Sequence, residues 1–370
     1  MKNTTLLAAS LAVGAVGGAT GAFAGGMDRS GQSINAIFET GTYVELSFGS
    51  VNPDVSGYFP HPLAGDLESG NMAASYTQIA GAYKRDLSDQ LSMALIIDQP
   101  FGADVDYPAT TSYPLAGSTA TVDTWAVTAL LRYKFNDRFS VHGGVRHLST
   151  KGEVDLYSSG SNFYNMSTST ESDWGYLVGA AYEIPDIALR ASLTYNSQID
   201  IDFTADEVSA LGANTSDLAV SLPQSVNFDF QTGIAADTLL MFSARWAEWT
   251  KTTIAPDDYV TIIGDNLVDH DNDTISYSLG VGRRFNDKLS GSLSVGYEKS
   301  YGGIQGNLAP RDGYTSLTAG LKYQMTEQTA ISGGVSYVWV GDANTTISGI
   351  DTEFTDNTAI GFGLKLSHHF

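Results

Sequence analysis

Three groups of residues have the types and spacing for chemistry. His142, His147 and Ser149 lie close together, and a Ser/His pair can form an activated nucleophile. His142 and His147 are an odd number of positions apart, so on one strand they face opposite sides and share no site. Asp269-His-Asp-Asn-Asp273 gathers the hard oxygens that calcium prefers, but position 274 is Thr and Gly280 stands where an EF-hand needs its bidentate Glu. At most this supports loose divalent bridging to acidic lipid headgroups. The chain is therefore read as a non-enzyme with no metal and no cofactor. The third group is the basic residues, which are scarce: 19 Lys and Arg against 41 Asp and Glu, a net charge of −22. Such an acidic chain is a poor nucleic-acid partner. A basic residue on an interior face then stands out as a potential anion site.

Those residues need elements to position them, and the chain end shows what kind. In Asn357–Phe370, Ile360, Phe362, Leu364, Leu366 and Phe370 fall on one parity, against Gly361, Gly363, Lys365, Ser367 and His369. A period of two is a β-strand with one oily and one polar face. The same alternation recurs at 43–48, 73–83, 91–97, 122–135, 139–148, 173–184, 187–203, 225–235, 239–250, 274–285, 289–300, 314–325 and 330–340. That makes 14 strands, with short polar turns alternating with long loops. An even count, one oily face and aromatic strand ends (Tyr83, Tyr133, Phe135, Tyr182, Tyr195, Phe285, Tyr297, Tyr323) define an outer-membrane barrel. Lipid cannot satisfy an open sheet edge, so the ring must close. A soluble propeller would show a repeat per blade, and the chain has none.

The N-terminus reads as a signal peptide over residues 1–24. Lys2 is followed by an apolar run and an Ala22-Phe23-Ala24 cleavage site. Cleavage after Ala24 leaves 18 basic and 41 acidic residues, a net −23. Residues 25–41 lack clean alternation, and the barrel occupies 42–370. Acidic residues gather in the long loops and read as a solvated outer face. On the polar parity lie Arg146, Arg190, Arg245, Arg284 and Lys322. Each meets a ligand, pairs with a lumenal acid, or faces pore water.

The segments Gly175–Glu183 with Leu193–Phe203, Leu222-Pro-Gln224 leading to Ala244–Thr250, Tyr277–Gly282, Leu317–Trp339 and Val51–Gly57 resemble the FadL/TodX family of outer-membrane transporters. The resemblance runs over most of the mature chain. It implies an all-β, 14-stranded antiparallel transmembrane β-barrel with a short N-terminal lumenal hatch. It also implies passive uptake of long-chain fatty acids or other hydrophobic small molecules, at the cell outer membrane of a Gram-negative bacterium. The implied partners are that ligand and outer-membrane lipid, with the protein a monomer. The hatch reading rests on Arg29, Asn35 and Ala36; family hatches are longer and often carry Asn-Pro-Ala, of which only Asn35-Ala36 stands here. The family's wall opening beside its third strand corresponds to Pro100, Phe101 and Gly102. Proline cannot donate a ladder bond and Gly102 permits a bulge, though an ordinary loop start fits as well. Lys151 aligns with a basic ligand-site position of the family, and Arg29, Arg146, Arg190 and Arg245 complete the candidate substrate-binding set. The alternatives are a general diffusion porin, usually of about 16–18 strands, and a barrel hydrolase. A structural adhesin is a third reading that the acidic loops permit.

Overall fold

The computed structural model describes residues 27–370. The signal peptide expected over 1–24 lies outside the described residues. Fourteen antiparallel strands form the wall: β1 (Tyr43–Asp54), β2 (Tyr76–Asp86), β3 (Leu91–Asp98, continuing as Gly102–Asp106), β4 (Thr119–Lys134), β5 (Phe139–Ser158), β6 (Glu171–Ile184) and β7 (Leu189–Asn196). They continue as β8 (Ser225–Ala235), β9 (Thr238–Ala247), β10 (Thr274–Arg284), β11 (Leu289–Glu298), β12 (Tyr314–Gln324), β13 (Thr329–Val340) and β14 (Thr358–His369). The ring closes where β1 pairs with β14 from Tyr43↔His369 to Asp54↔Thr358. Every barrel strand thus has a neighbour on each side, as a spanning sheet in lipid requires.

The alternation resolves into two faces. Phe48, Leu95, Leu131, Val145, Val178, Leu279, Leu321 and Phe362 are exposed outward, and they continue into a belt around the wall. In water such a surface would be an aggregation hazard; in a bilayer it is the lipid contact. Most inward residues are small or polar, with Thr128, Ser192, Thr194 and Ser336 all buried, and Ile96, Leu130 and Leu177 are inward apolar exceptions.

Two departures from the sequence expectation share one cause. The strand expected over 187–203 breaks at Ser197-Gln198, and its continuation Ile199–Ser209 pairs with Gly212–Leu222 outside the membrane. The long loops are likewise built, not loose. Strands Gly57–His61, Gly65–Glu68, Ala343–Ile347 and Ile350–Phe354 make a separate small sheet. Together these segments enclose a buried core that includes Tyr107, Tyr164, Ile201, Phe203, Leu222, Trp249 and Phe354. Alternating apolar residues look the same whether their oily face meets lipid or a protein core, so sequence alone extends the strand too far.

The cap also draws some acidic residues inward. Glu207 is fully buried, accepting bonds from Tyr164 Oη (2.8 Å), Ser216 Oγ (2.9 Å) and the Asp258 amide (3.1 Å) at the start of α1 (Asp257–Ile263). This carboxylate ties parts of the cap together and is not solvated.

His270 packs on Trp249, ring centroids 5.4 Å apart. Burial, reinforced by the Arg311 charge and opposed by Asp271, pushes its imidazole down to about 4. The opened cap, with an ordinary imidazole near 6.5, binds a proton that the closed cap excludes. Cap stability therefore holds above about pH 6.5 and falls as pH drops toward 4. Trp249 fluorescence should report this loss, and His270→Phe should flatten the profile.

Candidate functional site

The hatch is short, and contacts at both its ends fix it. At its lower end the 3-10 turn Asn35–Phe38 packs with Ile34 against Ala82, Ala94, Ile96, Leu130, Leu177 and Ala181 of β2–β6. Phe38 lies between two guanidiniums, Arg190 at 4.5 Å and Arg132 at 4.6 Å, with the His142 ring edge-on at 5.9 Å. Cations over an aromatic face with water excluded are worth about 2 kcal/mol each. The hatch thus hugs the β2–β7 half of the lumen.

At its upper end the hatch joins the wall where the β2–β3 ladder is interrupted. The β2–β3 ladder ends at Gly81↔Ile97 and the chains meet again only at the Ala73↔Val105 bridge. The cause is the bulge at Gln99-Pro100-Phe101. On β4, Ala126 pairs with Asp98 while Asp123 pairs with Gly102, so three residues of β3 oppose two. Gln99 partly bridges the window, its Oε1 accepting the Ile79 amide at 3.0 Å.

Residues 27–30 supply what the wall lacks. Asp28 bridges Phe101, the Arg29 amide donates to Pro100 O (2.8 Å), and the Gly102 amide donates to Met27 O (2.9 Å). Ser30 Oγ donates to Asp98 Oδ2 at 2.5 Å. Arg29 pairs with Asp104 and stacks over Tyr76 at 4.0 Å. Asp28 pairs with Arg245, which also donates to Ser225 (2.8 Å), Asn227 (2.7 Å) and Gln32 Oε1 (3.2 Å). Both members of that pair are buried, Asp28 at 2% and Arg245 at 8% exposed.

Gly102 makes the crossing possible. A Cβ there would lie 2.5 Å from Arg29 Cζ. Gly102→Ala should push the guanidinium off Asp104, removing a charged hydrogen bond worth about 1.5–3 kcal/mol. Amide exchange at residues 27–30 should rise roughly tenfold or more, measured by mass spectrometry on the protein in nanodiscs.

Two cavities flank the hatch. Above it lies an apolar pocket of about 110 Å³, walled by Met27, Val55, Met72, Val105, Leu308 and Val340, with Arg29, Asp104 and Arg311 as polar features. Below and beside it, toward β8–β12, lies a vestibule of about 360 Å³ with a mixed lining of serines, glycines, charged side chains and apolar residues.

The residues expected from sequence fall in different places. Arg29 and Arg245 meet at the hatch latch, with Arg146 close by. Arg146 is buried, donates to Thr128 (2.9 Å) and Asn196 (3.1 Å), and has Asp98 as its charged neighbour. Arg190 lies lower, on Phe38 and within 3.4 Å of Asn35 Oδ1; Ala36 is packed on the wall. Pro100, Phe101 and Gly102 form the bulge. Arg284 pairs with Asp237 in the turn before β9. Lys151 is not brought to this group: it faces outward, 3.4 Å from Glu153 and 4.0 Å from Asp123. His142 faces inward, bonded to Thr194 (2.9 Å), while His147 stacks outside on Trp174, so they share no site. Sequence reasoning did not single out Asp28 or Asp98, whose roles come from partners distant in the chain.

A closed barrel with an apolar belt, an inner hatch and a packed outer cap defines a plugged barrel of the Gram-negative outer membrane. Residues 36–370 match the family described as outer membrane protein transport protein (OMPP1/FadL/TodX), and the chain belongs to that family. Outer membrane protein P1 of Haemophilus influenzae is 21% identical over 241 residues, 59% of this chain. The match spans about half (52%) of that relative's length. A Pseudomonas aeruginosa FadL homologue superposes with a TM-score of 0.74 at 15% identity, covering 90% of this chain and 91% of the other. The P. putida toluene transporter TodX gives 0.63 at 13%, covering 90% and 91%.

Proposed function

We propose that the protein carries hydrophobic small molecules passively inward across the outer membrane. They enter the apolar pocket above the hatch and leave sideways, through the window between β2 and β3, into the bilayer. The observation that carries this reading is the coincidence of three features: an apolar pocket, a break in the wall ladder, and a hatch segment bonded across that break. The vestibule beneath mixes serines and charged side chains with apolar residues, so an apolar ligand gains less by continuing downward than by moving into lipid.

Arg29 lies in the pocket and meets a ligand's polar end. Arg245 and Arg146 act one layer below, holding the hatch, and Lys151 takes no part. A cavity of about 110 Å³ is somewhat smaller than the ~150 Å³ apolar cavity that accepts one benzene, so by size it favours a compact guest over a long chain. The likeness to a toluene transporter agrees with this size. A long-chain fatty acid would place its carboxylate by Arg29 and thread its tail through the window.

Competition for a fluorescent apolar probe, with toluene and oleate as competitors, tests the reading. Val105→Trp fills the pocket and should cut affinity for either at least tenfold. Unchanged binding in that variant would place the site elsewhere.

A further inference from the structure

The vestibule carries an observation that the hydrophobic route does not use. Three side-chain atoms in its lining are buried yet have no hydrogen-bond partner among the described residues: Gln78 Oε1, Asp98 Oδ1 and Arg190 Nε. Buried polar groups are nearly always satisfied, and an orphan points to a missing partner. These three are of two kinds. Gln78 and Asp98, 6% and 4% exposed, offer acceptors near the bulge at the upper end of the cavity. Arg190, the second residue of β7, offers a guanidinium donor toward the periplasmic end. Between them the wall presents Ser243, Ser278, Ser294 and Ser316, which donate and accept.

The other two cations in the vestibule lining are engaged. Lys365 pairs with Glu45 at 3.1 Å and Arg245 pairs with Asp28. Arg190 makes no ion pair within 4 Å among the described residues; Glu183, Asp229 and Glu39 act on it from farther away. Asp98 Oδ2 is taken by Ser30, which leaves Oδ1 open.

We infer that the vestibule is a second ligand site, for an extended zwitterion: an ammonium end at Asp98 and Gln78, a carboxylate end at Arg190, and a polar middle against the serine wall. Spacing supports an extended molecule. Asp98 stands about six residues higher on its strand than Arg190 does on its own. At ~3.3 Å per residue and a tilt of ~40° this separates the backbones by roughly 15 Å in height. The side chains shorten that span, and an extended tripeptide covers about 10 Å. A volume of about 360 Å³ holds a molecule of that size. Short peptides and ω-amino acids share this chemistry, and the inference stands apart from the apolar pocket.

Calorimetry on the full-length protein in nanodiscs tests it with trialanine, N-acetyl-trialanine, trialanine amide, the doubly blocked peptide and 8-aminooctanoate. Trialanine should bind, and blocking either end should weaken it about tenfold or more. In Asp98→Asn the penalty for acetylation should shrink, and in Arg190→Gln the penalty for amidation should shrink, each leaving the other penalty in place. If 8-aminooctanoate binds as well as trialanine, the two charged ends suffice; if it binds more weakly, the peptide middle contributes. Absence of trialanine binding at millimolar concentration, or equal binding of the doubly blocked peptide to unmodified protein, overturns the inference. Toluene competition on the same sample reads the apolar pocket separately, so the two readings fail independently.

Discussion

Arg245→Met should release the upper hatch while leaving the barrel wall intact. The substitution strands the Asp28 carboxylate, 2% exposed, without its cation, and takes donors from Ser225, Asn227 and Gln32. Removing one member of a buried ion pair costs about 3–5 kcal/mol, most of it the uncompensated charge left behind. The barrel's strand ladders do not depend on this pair, so the loss falls on the hatch. Amide exchange over residues 27–32 should accelerate at least a hundredfold, while amides in β10–β13 keep their protection. Asp28→Asn in the same background removes the stranded charge and should recover much of the loss. Equal protection of the hatch in Arg245→Met would mean that the latch is held elsewhere.

A covalent latch should have the opposite effect. Ser30 Oγ and Asp98 Oδ2 lie 2.5 Å apart, one on the hatch and one on β3 just before the bulge. The chain contains no cysteine, so Ser30→Cys with Asp98→Cys introduces one pair without competitors. A disulfide between them holds the two Cβ atoms about 3.5–4.5 Å apart. Oxidised, the hatch cannot leave the bulge; reduced, it can.

Much of this was legible in the residues because lipid enforces strict alternation. The segments 225–235 and 314–325 stand out as strands since each oily residue needs lipid and each neighbour needs the lumen. Parity also placed Arg146, Arg190 and Arg245 inward, where they lie. The same rule excludes Lys151: it shares odd parity with Val145 and His147, both outward on β5. Alignment to a family position suggested otherwise, and the period of two was the better guide. The cap was less legible. Ile199, Ile201 and Phe203 keep the odd parity of Leu193, but their oily face turns from lipid to a protein core after Ser197-Gln198. The latch was not legible at all. Asp28 meets Arg245 across 217 positions, and no local pattern encodes such a pairing.

The central claim is that the hatch, bonded across the β3 bulge, closes the side window through which the proposed ligand leaves. Toluene uptake across the lipopolysaccharide outer membrane of cells carrying Ser30→Cys/Asp98→Cys protein, read by an intracellular fluorescent reporter, measures it directly. Oxidised protein should pass at most a tenth of the reduced flux, and a thiol reductant should restore it. Equal flux in the oxidised and reduced forms would contradict the account, because the ligand would then cross with the hatch still fastened to the bulge.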